Sequence, residues 1–173
     1  MNNNDLLIRL RYALNLRDVQ IQEIFKLGGV TLSLDEVKQV LTKSEVFEDA
    51  EQEVTQPESL SCTNKMLDAF LNGFITYKRG PQENKSTQAP APVTMIKRNN
   101  VNNIFLKKVK IALALTSEDI LEILSLSGVV ISKSELSAVL RKEGQKNYKE
   151  CGDRYIRNFL KGLAIKHRKS SEV

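Results

Sequence analysis

Apolar residues recur at three- and four-residue intervals along this chain, and the same rhythm returns about a hundred residues later. Leu6, Leu10 and Ala13 share one helical face, and Phe105, Val109 and Ala112 repeat it. A second stretch, from near Asp18, carries Ile21, Ile24 and Phe25; its echo, from near Ser117, carries Ile120, Ile123 and Leu124. A third stretch opens at "SLDE" and again at "SKSE". A fourth carries Met66, Leu67, Phe70, Leu71 and Phe74, matched by Tyr155, Ile156, Phe159, Leu160 and Leu163. The pattern predicts an all-α fold of two tandem, homologous four-helix lobes.

Direct superposition of the sequence on itself supports the duplication. Displaced by 99 positions, Asn3 to Leu41 falls on Asn102 to Leu140 without a gap, and 16 of 39 positions are identical. Ordinary residue usage would give roughly two or three. Further on the displacement drops to 89, and Cys62, Phe70, Leu71 and Gly73 fall on Cys151, Phe159, Leu160 and Gly162. The first copy therefore holds ten extra residues between Leu41 and Cys62. A self-match of this kind sets the architecture.

Helix signals recur in register. The asparagine pairs Asn3-Asn4 and Asn102-Asn103 read as N-caps of the first helix, and Asn64 and Asp153 as caps of the fourth. Ser33 with Glu36, and Ser132 with Glu135, have capping-box spacing, and Leu32/Val37 and Ile131/Leu136 stand where hydrophobic staples belong. Gly29 and Gly128 suit left-handed helix ends. Gly73 and Gly162 interrupt apolar stripes at about 1 kcal/mol against alanine, so each predicts a close approach of two helices.

Between the copies, "GPQENKSTQAPAPVT" holds three of the four prolines and reads as a flexible linker. The domains are then an N-terminal helical repeat at 1–80, a Pro/Gln-rich linker at 81–100 and a basic C-terminal repeat at 101–169. A lobe of about 70 residues is near the lower limit for standing alone. The lobes are expected to pack on each other or on a second chain.

Composition narrows the chemistry. No apolar run approaches the roughly 20 residues of a membrane span, and no secretory signal opens the chain. The expectation is a cytoplasmic protein without membrane contact. Cys62 and Cys151 stand at equivalent positions, too few for a disulfide scaffold. A nucleophilic cysteine needs a base, and the single histidine, His167, lies near the far end. The Asp of Cys151-Gly152-Asp153 becomes Asn64 in the other copy, which acid–base work would not tolerate. One histidine and no close cysteine pair exclude zinc spacing. The acidic insertion Ser44 to Ser59, with six carboxylates, lacks the pattern of a calcium loop. No phosphate loop or nucleophile elbow is present. No catalytic residue, cofactor or metal is assigned, and the chain is not expected to be an enzyme.

Charge divides the copies. Residues 1–80 hold 9 Lys/Arg against 12 Asp/Glu, whereas residues 101–173 hold 14 against 8. On the last helix Arg154, Arg157, Lys161 and Arg168 fall within roughly 60 degrees of one face. Lys107, Lys108 and Lys110 stud the fifth helix, and Arg141 and Lys142 follow the seventh. Such a surface can neutralise phosphates, and it is equally what the solvated back of a buried helix looks like. Across "SLSGVVISKS" the sixth and seventh helices loosely resemble a helix-turn-helix, with a longer turn and few side chains for base edges.

The paired asparagines, "TSEDILEIL", "SGVVISKSELSAVLRKEG", "NYKECGDRYIRNFLKGL" and "FLNGF" together resemble the YehS-like bacterial proteins, a domain family of unknown function. The resemblance spans both copies. The first copy departs from it at Cys62-Thr63-Asn64, where the family motif resembles Cys-Pro-Asp. It implies a duplicated cytoplasmic helical unit and brings no catalytic residue, cofactor or partner. The expected function is a binding or regulatory module whose basic C-terminal lobe contacts an acidic protein or nucleic acid. The alternative is a protein–protein interaction or self-association module, homo-oligomeric and without nucleic-acid binding.

Overall fold

A computed structural model describes residues 3–42, 60–80, 100–141 and 145–171, the side chains of 168–171 excepted. The acidic insertion at 44–59, Lys142 and linker residues 81–99 lie outside the described residues. Eight α-helices and no strand occur among the described residues. They are α1 (Asn3–Leu14), α2 (Asp18–Leu27), α3 (Leu34–Val40), α4 (Asn64–Arg79), α5 (Val101–Ala112), α6 (Ser117–Leu126), α7 (Lys133–Leu140) and α8 (Asp153–Ser171). One four-helix order is written twice.

The serine starts form, the first as a full capping box and the second by the serine bond alone. Ser33 Oγ accepts from the Glu36 amide at 3.1 Å while Glu36 Oε1 accepts from the Ser33 amide at 3.1 Å. Ser132 Oγ accepts from the Glu135 amide at 3.1 Å. Gly29 and Gly128 take φ of +95° and +91°, ending α2 and α6 in the left-handed region.

The asparagine pairs do something other than cap. They lie inside the first turns of α1 and α5, and their side chains reach across to the segment that precedes the last helix of the repeat. Asn4 Nδ2 donates to the carbonyls of Val40 and Leu60, both at 2.8 Å, and its Oδ1 accepts from the Cys62 amide at 2.9 Å. Asn103 repeats this with Val139, Lys149 and the Cys151 amide at 2.9, 2.9 and 2.8 Å. Asn3 Nδ2 donates to Cys62 O and Asn64 Oδ1; Asn102 Nδ2 donates to Cys151 O and Asp153 Oδ1. Asn64 and Asp153 are thus first helical residues that receive an asparagine, and the cap of α4 is Thr63, whose Oγ1 accepts from the Met66 amide at 3.1 Å. The physical reason is satisfaction of buried backbone. An irregular segment against the core exposes donors and acceptors together, and a side-chain amide meets both.

Within each repeat the second helix lies on the fourth, so closely that a Cβ at Gly73 would fall 1.9 Å from the Ile24 carbonyl oxygen. A Cβ at Gly162 would fall 1.9 Å from that of Ile123. This is the helix–helix approach that the two glycines predict. Between repeats the arrangement is reciprocal. The first helix of each repeat packs chiefly on the last helix of the other, α1 on α8 and α5 on α4. Leu7, Leu10, Phe70 and Phe74 of one repeat and Phe105, Leu106, Phe159 and Leu160 of the other are buried in one continuous core. The two lobes are therefore packed on each other through two equivalent seams, α1–α8 and α4–α5.

Candidate anion-binding groove

α8 buries Ile156, Phe159, Leu160 and Leu163 and turns Arg157 and Lys161, one turn apart, to its exposed flank. α1 buries Leu6, Leu7 and Leu10 and leaves Arg9 and Tyr12 exposed. Where the two flanks meet they leave a groove of about 640 Å³. Its floor is Ile8, Leu160, Ala164 and Ile165, and its walls include Asp5, Arg9, Tyr12, Arg157, Asn158 and Lys161. Among the described residues, Arg9, Arg157 and Lys161 make no side-chain hydrogen bond or close ion pair, although the charge of Arg157 is felt by the Asp153 carboxylate one turn before it on α8. Tyr12 is 59% exposed.

The family pattern described as "Protein of unknown function (DUF1456)" matches residues 3–80 and again residues 102–169, the two copies seen in the fold. The chain belongs to this family. It is 36% identical over 166 residues to "Uncharacterized protein YehS" of Escherichia coli (strain K12), covering 96% of each chain. No solved structure matches.

Because the family unit is present twice, the two seams can be compared position by position. At α4–α5 the place of Arg9 is taken by Lys108, that of Arg157 by Asp68 and that of Lys161 by Asn72. Lys108 Nζ donates to the Asp68 carboxylate and, at 2.8 Å, to Asn72 Oδ1. The Lys108 and Asp68 side chains are only 11% and 17% exposed. One seam is closed by a complementary trio. The other holds three like charges at the same places, and Ala164 stands where the closed seam has Ile75. Like charges cannot approach as partners do, and the smaller side chain leaves space.

Of the cations singled out in the sequence, the structure brings Arg157 and Lys161 together on the groove. Arg154 is exposed on α8 away from the groove walls. Lys107 and Arg141 border a shallow depression beside Ser137 and Leu140, and Arg141 Nη1 donates to the Lys146 carbonyl at 2.7 Å. Lys110 is half-buried on α5. Lys108 is held inside the closed seam. The backbone of Arg168 continues α8, and its side chain lies outside the description. Arg9 and Tyr12 escaped sequence reasoning, because they belong to the acidic copy. The repeat alignment held the signal, since it pairs Arg157 with Asp68, an inversion of charge at one position.

The cysteines offer little chemistry. Both thiols are buried, and burial pushes Cys62 and Cys151 up to about 12. Asp153 and Glu150 disfavour the Cys151 thiolate further. The Tyr155 hydroxyl is buried without a hydrogen-bond partner among the described residues and is itself held above the ordinary range by burial. From Asp153 the helix rises roughly 21 Å before His167. Among the described residues no group of three His, Cys, Asp or Glu could hold a metal, and no helix is long and apolar enough to cross a membrane. In the helix pair α6–α7, Lys133 Nζ donates to Glu118 Oε1 at 2.8 Å.

Proposed function

We propose that this chain is a non-enzymatic cytoplasmic binding module that takes an anionic partner, nucleic acid among the candidates, at the α1–α8 seam and the basic flank of α8. The observation that carries the reading is the contrast between equivalent positions. Lys108 donates to Asp68 and Asn72, whereas Arg9 lines an open groove with Arg157 and Lys161. Gathering like charges is unfavourable in the free protein, and an anion between them relieves the repulsion. Exposed guanidinium groups suit phosphate and carboxylate oxygens, which accept from them in pairs.

The test is retention on heparin and titration of labelled single- and double-stranded nucleic acid at two salt concentrations. Three cations meeting phosphates predict a slope of log affinity on log salt of about −2 to −3. The Arg157→Asp/Lys161→Asn variant should abolish most of that slope. Absence of binding to any polyanion at low salt removes the proposal.

A further inference from the structure

The groove is more than a patch of charge. Its cations stand over an apolar floor, Ile8, Leu160 and Ala164, and an exposed aromatic ring, Tyr12, stands at its edge. We propose that the α1–α8 groove is a pocket for a nucleoside phosphate. The phosphate lies among Arg9, Arg157 and Lys161, and the base lies against Tyr12 and the apolar floor. This rests on the reading of an anionic partner and narrows it to one ligand chemistry.

Three properties select that chemistry. The first is charge. A phosphomonoester carries roughly −1.5 to −2 at neutral pH. Three cations, tempered by Asp5 on the groove and by Asp153 one turn before Arg157, suit that charge, and the guanidinium groups of Arg9 and Arg157 come to the groove from different helices. The second is size. A groove of about 640 Å³ lies within the range of roughly 300 to 1,000 Å³ that holds small organic ligands. A bare phosphate would leave the half-buried Ile8 and Ile165 of the lining in water, and a duplex keeps its bases stacked and has no group to insert. The third is the ring. A base stacked on an aromatic side chain gains about 1–3 kcal/mol, and every base has a face to offer. The closed seam lacks all three: its charges are paired, Ile75 replaces Ala164, and Ile111 replaces Tyr12.

The experiment is isothermal titration of the full chain with the four nucleoside monophosphates. Adenosine, inorganic phosphate and five-nucleotide single strands serve as separate arms. At least one monophosphate should bind about tenfold or more tightly than adenosine or inorganic phosphate. Binding by the monophosphates meets the proposal; binding only by the five-mers, whose internal phosphates are diesters of single charge, overturns it in favour of a strand-binding surface. The Arg157→Asp/Lys161→Asn variant, checked for a melting temperature that does not fall, should lose binding about a hundredfold. Tyr12→Ala, a surface change, should lose about tenfold. No binding of monophosphate or five-mer below about 1 mM overturns the proposal. So does inorganic phosphate binding as tightly as a nucleotide, or indifference to both variants. Heparin retention that survives such a failure leaves the broader reading standing; its loss removes both.

Discussion

The α4–α5 seam and the α1–α8 seam descend from one helix-on-helix contact written twice, and they have opposite characters. One is closed by Lys108, Asp68 and Asn72; the other keeps Arg9, Arg157 and Lys161 apart over a groove. The residues behind the two seams agree closely. Gly73 and Gly162 meet the carbonyls of Ile24 and Ile123, and Asn4 and Asn103 satisfy the same backbone groups. A duplicated scaffold can keep the apolar packing of both seams while the polar positions of one are released from pairing. Comparing equivalent positions then separates side chains that hold the fold from side chains that the fold does not need.

The broadest test of the comparison removes one copy. Residues 1–80 alone would lose α8 from beneath α1 and α5 from beside α4, exposing Leu7, Leu10, Leu71 and Phe74. Each buried side chain of this kind is worth about 1.5–3 kcal/mol, and a lobe of this size has little to spare. The fragment should not fold as a monomer. A sharp thermal transition from a species that sediments as a monomer would show that the seams are dispensable.

The closed seam carries the next effect. Asp68→Ala leaves Lys108 largely out of water with its charge unmatched, at a cost of about 3 kcal/mol in urea unfolding. Arg157→Ala, at the equivalent position of the open seam, removes an exposed side chain and should stay within about 0.5 kcal/mol. Equal costs at the two positions would dissolve the distinction on which the groove depends.

Much of the fold was legible because helix periodicity, capping spacing and glycine are local signals, and their recurrence in register multiplied their weight. The serine starts, the left-handed glycines and the packing of Gly73 and Gly162 all followed from short stretches. The asparagine pairs were read too locally. Asn4 and Asn103 resemble caps in sequence, yet their partners lie 36 to 58 residues away. The groove was legible only in part for a similar reason. Arg157 and Lys161 show on their own helix, but Arg9 and Tyr12 join them only because α1 crosses to the other repeat. No periodicity within a helix states which helix it will meet.

The two thiols sharpen the comparison from the opposite side, since there the copies should behave alike. An unperturbed thiol titrates near 9.0, and burial holds Cys62 and Cys151 at about 12. The folded chain then keeps its protons where the unfolded chain releases them. The stabilisation is complete below 9.0 and is lost as the pH climbs towards 12. The slope is of order 1 kcal/mol per pH unit for each thiol. Urea unfolding between pH 9.0 and 10.0, before the buried Tyr155 hydroxyl adds a slope of the same sign, should show it, and Cys62→Ala and Cys151→Ala should each remove about half.

The smallest effect is the most diagnostic. Arg157→Asp with Lys161→Asn gives Arg9 the carboxylate and amide that Lys108 already has at the closed seam. If groove charge were needed for folding, the exchange would weaken the protein. If the cations repel one another and serve a ligand, it should hold stability constant or raise it by up to about 1 kcal/mol, as an exposed ion pair does. Ala164 still leaves more room than Ile75, so the gain should fall short of the cost of breaking the Lys108 pair. Stability unchanged or improved together with lost anion binding would mark Arg157 and Lys161 as ligand-facing residues. A loss of more than about 1 kcal/mol would make them part of the scaffold after all.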